Sequence, residues 1–365
     1  MSSVSSAWIG EARDTLRRSD VDYFEVDARQ YWFDFILSMT CAYVSATLYI
    51  SAETIAPEYV WPLRIVMFPM AVFWLYRLGS LVHEVAHLKE HELQTFKVAW
   101  NLLAGVMLLA PSTFFTRHHR DHHSHRWYGT PHDPEYVVNV FEPGSFWGYV
   151  GFAFTLLAFP LLVFLRFLLT PLTFIHPAVR QWVLVHASSL TMNWRYERRL
   201  TAQDDWTSTT LEWLCCLRAA WMLAVVGLGI ADWTRLPLLY SLGLGVLLMN
   251  QARQLADHHF ESKGEQLDMD AHILDSCNFT GPCWMTWLLF PFSIRYHALH
   301  HLEPTLPYHN LAAAHAHLCE KLPADSPYRT LEQPDWWTVA SKTVITGRGD
   351  RPDKVVPEMA KSPAA

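Results

Sequence analysis

The chain has 365 residues, of which 51% are apolar and only 17% charged, with a net charge of −7. Soluble proteins carry about a quarter charged residues, so this composition points to a membrane protein. No long basic run marks a nucleic-acid partner, and six cysteines without a CxxC pair argue against a disulfide framework or a thiolate zinc site. The cysteines are read as reduced, structural thiols.

Residues 1–30 are polar with scattered aromatics and predict a short amphipathic helix on the membrane. They contain no apolar h-region of a cleavable signal peptide. Residues 31–50 and 59–79 are each long and apolar enough to span. Arg13, Arg17 and Arg18 precede this pair, and Lys89 and Lys97 follow it. The positive-inside rule then places the start of the chain and residues 83–87 in the cytoplasm. Residues 98–110 are apolar but too short to cross, which predicts an interfacial or re-entrant helix ended by Pro111. Ser112 or Thr113 is positioned to cap the next helix, and Gly129 and Pro131 to close it.

Residues 145–180 read as an embedded hairpin or interfacial pair, broken near Pro160 and Pro171. The reason is parity: an even number of crossings returns the later histidines to the face of the earlier ones. A crossing that returns at 174–185 is the alternative. Residues 211–232 and 236–250 predict two further spans. Residues 253–265 are polar, 281–292 aromatic and interfacial, and 346–365 a disordered tail. The predicted division is 1–30, a membrane domain over 31–330, and a tail over 331–365. The predicted fold is an all-α membrane protein of about four transmembrane helices plus interfacial helices, with a cytoplasmic histidine-rich cap.

Histidine carries the chemistry. Of twenty histidines, eight fall in three boxes: His83 and His87 (HEVAH), His119, His122 and His123 (HRDHH), and His297, His300 and His301 (HALHH). Spacings of three and four put each set on one helical face. Neutral imidazole suits iron, zinc or copper, and eight nitrogens are too many for one ion and enough for two. A lone HxxxH would more often be a solvated face, but three boxes beside apolar segments point to metal.

Together the boxes, with RHHRDHHSHRWYGTPHDPEY and RYHALHHLEPTLPYHNL around them, resemble the membrane fatty acid desaturase family, over residues 31–330. The resemblance implies a non-haem di-iron centre with two iron ions, O2 as co-substrate, and the eight box histidines as ligands. The run NQARQLADHH resembles the stretch that supplies one further histidine. Either His258 or His259 could fill that role, with His258 favoured and Asp257 as a candidate partner for it. Asp121, Asp133 and Glu135 are candidate acceptors for the outer ring nitrogens. Glu303, behind the third box, could bond a ligand, pair with Arg295 or face solvent; the ion-pair or solvent reading is preferred.

Other histidines rate lower. His91, His118, His125 and His132 are expected on a solvated face, His315 and His317 at the surface, and His176 and His186 at the membrane interface. With no HPGG signature and no GxGxxG fingerprint, the expected electron donor is a separate ferredoxin, rubredoxin or cytochrome. The implied activity is insertion of a double bond into an acyl-lipid, acyl-CoA or acyl-carrier substrate. A hydroxylase, ketolase or acetylenase is the first rival. A membrane metal carrier is the second, disfavoured because the histidines sit at helix ends rather than near the midplane.

Overall fold

The computed structural model describes residues 7–140, 145–200 and 206–346. Most of the tail expected to be disordered lies outside them. Within them the chain is mostly helical, and its one strand pair is short and parallel, Asn278–Phe279 with Glu332–Gln333. Four helices are long and apolar enough to cross a membrane: Ala28–Ile50, Pro57–His87, Phe146–Leu168 and Trp206–Gly227.

The first two pack as a hairpin. Asp27 starts Ala28–Ile50, its side chain accepting from the amides of Arg29 and Gln30. The partner helix, Val60–His87, has 28 residues. At 1.5 Å per residue it is about 42 Å long, against a hydrocarbon core of about 30 Å. It therefore outruns the expected end at residue 79, and its last turn carries the first histidine box out of the apolar zone.

The short segment after it holds the second box in place. Gln94–Trp100 runs into a π-helical turn, Asn101–Gly105. From that turn Asn101 donates to the Ser112 hydroxyl and accepts from the Ser112 amide. The second-box helix, Ser112–His122, is thus capped by a remote asparagine. Neither Ser112 nor Thr113 caps it: Pro111 is the boundary residue and no side-chain cap comes from it. The helix also ends at His122, earlier than Gly129 and Pro131 suggested. Gly129 instead makes the turn beyond it at φ +72. Its amide donates to Asp133 Oδ2, and a Cβ there would lie 2.7 Å from Ser262 Cβ, so no other residue fits.

The second half departs further from expectation. Residues 146–168 form one unbroken helix of 23 residues with Pro160 inside it, rather than a hairpin broken at that proline. Proline is tolerated in membrane helices because neighbouring groups satisfy the freed carbonyl. Only Phe167 of this helix is buried, and Phe154 and Leu157 are exposed, an apolar face suited to lipid. After the short turn Thr170–Thr173, Pro177–His186 follows with no buried residue. The span predicted at 236–250 lies within Arg235–Gln254, which is not among the four candidates; Asn250, Gln251, Arg253 and Gln254 crowd its last turn. It packs on both Val60–His87 and Phe146–Leu168 and delivers the chain to His258.

The N-terminal helix Ala7–Arg17 buries Trp8, Ile9, Ala12 and Leu16 and contacts Leu311–Lys321. It joins one core with the first hairpin and the third-box segment. Residues beyond 331 are not all tail: Trp336–Thr346 is a helix with Trp336, Val339 and Ala340 buried.

Candidate metal centre

Four elements converge on one point at the cap. His83 and His87 come from the last turn of Val60–His87, His119 and His122 from Ser112–His122 with His123 at its C-cap, and His297, His300 and His301 from the six-residue helix His297–Leu302. His258 arrives beyond Arg235–Gln254, held by a bridge to Ser276. The nine imidazoles divide into two groups. One is His83, His87, His119, His123 and His300; the other is His122, His258, His297 and His301. His259, the alternative to His258, turns instead to Cys277, with Nε2 3.5 Å from Sγ.

The outer nitrogens fix how the rings present themselves. His119 Nδ1 donates to Glu135 (2.6 Å) and His122 Nδ1 to Asp133 (2.8 Å). Tyr128 donates its only hydroxyl proton to Asp275 (2.8 Å), so at 2.7 Å it accepts from His258 Nδ1. A proton on Nδ1 leaves a bare lone pair on Nε2, and these Nε2 atoms face inward. His122 and His258 meet Nε2 to Nε2 at 3.2 Å, His87 and His119 at 2.8 Å, and His123 and His300 at 3.1 Å.

In the His122–His258 pair both Nδ1 protons are placed, so two lone pairs face each other at 3.2 Å and repel unless a cation lies between them. A metal–imidazole bond of about 2.1 Å sets ligands at right angles about 3 Å apart, which these separations match. His83 Nε2 is also buried with no hydrogen-bond partner. The donor set fits two metal ions, and it fits ions that accept nitrogen.

Burial holds His119, His123, His258, His297, His300 and His301 well below the ordinary imidazole range, so they stay neutral and able to ligate. His122 differs. Burial lowers it too, but the carboxylates of Asp133, at hydrogen-bond distance, and of Glu135 and Asp257 together outweigh burial and the net shift is upward. Burial likewise pushes Glu135 up to about 7 and Asp275 to about 6.

Several predicted partners lie elsewhere. Asp121 accepts from Tyr196 and Arg199 and touches no box imidazole. It is the i+2 residue of its box, on the opposite side of the helix. Asp257 pairs with Arg253 at 2.6 Å rather than with His258 or His259. Glu303 is 4% exposed, with Arg17 at 2.9 Å and Arg13 at 3.5 Å. It meets neither Arg295 nor solvent, because the N-terminal helix covers it. Two histidines expected to be solvated are buried. His118 Nδ1 donates to the Phe114 carbonyl at 3.1 Å and its Nε2 lies 3.6 Å from Glu135, and His315 bonds Tyr328. His125 and His132 are at the surface.

Sequence reasoning missed other residues. His272 Nε2 lies 2.9 Å from His301 Nδ1; as an isolated histidine it had no spacing to signal it. Tyr136 joins Tyr128 on Asp275. Glu84 contacts His83 Nδ1 at 3.2 Å and receives Tyr31 and the Tyr308 amide, tying the first box to both Ala28–Ile50 and the segment after the third box. Its place inside HEVAH was the available signal.

The chain belongs to the fatty acid desaturase family, whose model matches residues 59–332. It is an integral membrane protein and an oxidoreductase of that family. It is also 33% identical, over 320 residues, to a ceramide hydroxylase of Caulobacter vibrioides, a match covering 86% of this chain and 87% of that protein.

Proposed function

We propose that the chain is an O2-dependent, iron-loaded enzyme that hydroxylates a long-chain lipid of the ceramide type. The preference for hydroxylation rests on one observation: the likeness to a ceramide hydroxylase extends along 86% of the chain. The boxes alone put desaturation first, and family membership keeps it as the second reading.

His83, His87, His119, His123 and His300 would hold one iron, and His122, His258, His297 and His301 the other. Bound there, the pair would supply the activation of O2 and the cleavage of an unactivated C–H bond. Everything else is work of the protein. Glu135, Asp133 and Tyr128 hold the ring tautomers, so that nitrogen lone pairs point inward without paying that ordering again in each turnover. Burial of the box residues excludes water, which prevents side reactions. Apolar helix faces below the cap keep a lipid tail in hydrocarbon while its reacting carbon reaches the cap. The cap faces the cytoplasm in this reading, because Arg13, Arg17, Arg18, Lys89 and Lys97 flank the first hairpin. A separate ferredoxin, rubredoxin or cytochrome delivers the electrons there.

The test is expression in a host that makes ceramides, followed by mass spectrometry of its lipids. Ceramides heavier by one oxygen atom support hydroxylation. Lipids lighter by two hydrogens, with no oxygenated species, would replace it with desaturation.

A further inference from the structure

Beyond the histidine cluster, a second donor set lies on the flank of the third-box helix. His315 and Cys319 are one turn apart on Leu311–Lys321, and Glu332 reaches them from the strand Glu332–Gln333. Cys319 Sγ is 3.6 Å from His315 Nε2 and 3.2 Å from Glu332 Oε1. The same carboxylate oxygen is 3.6 Å from His315 Nε2. Three atoms of three donor types thus form a nearly equilateral triangle. Zinc bonds thiolate at about 2.3 Å, imidazole at about 2.0–2.1 Å and carboxylate at about 2.0–2.2 Å; tetrahedral angles then set the donors about 3.4–3.6 Å apart. The observed edges lie close to that range.

The histidine is also oriented for the purpose. His315 Nδ1 lies 2.9 Å from the hydroxyl of Tyr328, which is fully buried. A proton donated from Nδ1 to that oxygen leaves the Nε2 lone pair facing sulfur and carboxylate. A thiol donating to Glu332 explains one edge of the triangle. It does not explain a third donor converging on the same two atoms. His315 is buried, whereas Cys319 and Glu332 are partly exposed, so an ion can enter from solvent and a water can complete the fourth vertex.

We infer that His315, Cys319 and Glu332 bind one zinc-type divalent cation, separate from the histidine cluster. On binding, the cation displaces the thiol proton to solvent and forms a bond to the thiolate sulfur. The site is a staple. It joins Leu311–Lys321 to a strand that pairs with Asn278–Phe279, and Asn278 accepts from the Leu299 amide inside the third-box helix. The donors escaped the sequence reading because they form no CxxC. They are a His-x-x-x-Cys pair and a glutamate from a separate strand.

Cobalt titration of the purified full-length protein tests it. One equivalent of Co2+ should raise a near-ultraviolet thiolate-to-cobalt charge-transfer band that excess Zn2+ bleaches. The histidine cluster contains no thiolate and cannot produce that band. Cys319→Ser should abolish it, and Tyr328→Phe should weaken Co2+ binding about tenfold or more. Absence of the band in the unaltered protein, or its persistence in Cys319→Ser, overturns the site. Alkylation gives a reading that needs no variant: Zn2+ should shield Cys319 from a thiol reagent, as mapped by peptide mass. Equal labelling with and without Zn2+ overturns the site as well.

Discussion

His258 and His259 are neighbours in sequence and face different surroundings. His258 lies among the box imidazoles, and His259 against Cys277. Substituting each with Ala should separate them. His258→Ala should lose activity and part of the iron, while His259→Ala, at a buried residue outside the imidazole groups, should keep the iron and show its cost in fold stability instead. Iron analysis with product assay reads this, and equal loss in both variants would contradict the assignment. Asp133 acts one step removed, through His122 Nδ1. Asp133→Asn can still accept a hydrogen bond but carries no charge, and iron affinity should fall about 10–100-fold. Retained affinity in a chelator competition would count against a role for that carboxylate. At this scale the box histidines were legible because spacings of three and four are written locally. His272, Tyr128 and the true partners of Asp121 were not, because each depends on a fold contact between distant segments.

The third-box helix is six residues long, too short to hold itself in water. Its C-terminal end is clamped from outside. Arg13 donates to the Leu302 carbonyl at 2.9 Å, and Arg17 pairs with Glu303. Cations at a helix C-terminus satisfy open carbonyls and the helix dipole. Replacing both Arg13 and Arg17 with Ala leaves Glu303 buried and unpaired, which should cost on the order of 3 kcal/mol and lower iron occupancy. Adding Glu303→Gln should restore part of both. Thermal melts and iron content of the three proteins check this; a double variant as stable as the parent would remove the clamp. The N-terminal helix was foreseen from its composition, but not what it holds, since Arg17 and Glu303 are 286 residues apart. Pro160 misled for a different reason. Proline breaks helices in water, whereas residues 146–168 form a helix whose surroundings are apolar.

As a whole the molecule is an apolar helical base with a polar, metal-ready cap. The base was largely legible, because length and hydropathy of a span are properties of continuous sequence. The cap's division into five and four imidazoles was not, since spacing alone does not say which box shares an ion with which. Residues 346–365 were read as a disordered tail and all but the first lie outside the described residues; removing residues 350–365 should leave activity within about twofold, as that reading of their composition implies. An inactive truncation would show that this stretch has a task. The central claim is that the nine imidazoles hold two irons on which turnover depends. It is tested most directly by the iron content of the purified protein beside that of His122→Ala. The account predicts about two irons per chain in the parent, the number its two imidazole groups can hold, and a clear loss in His122→Ala along with loss of O2-dependent product. A single iron per chain, or full iron and activity in His122→Ala, would contradict it.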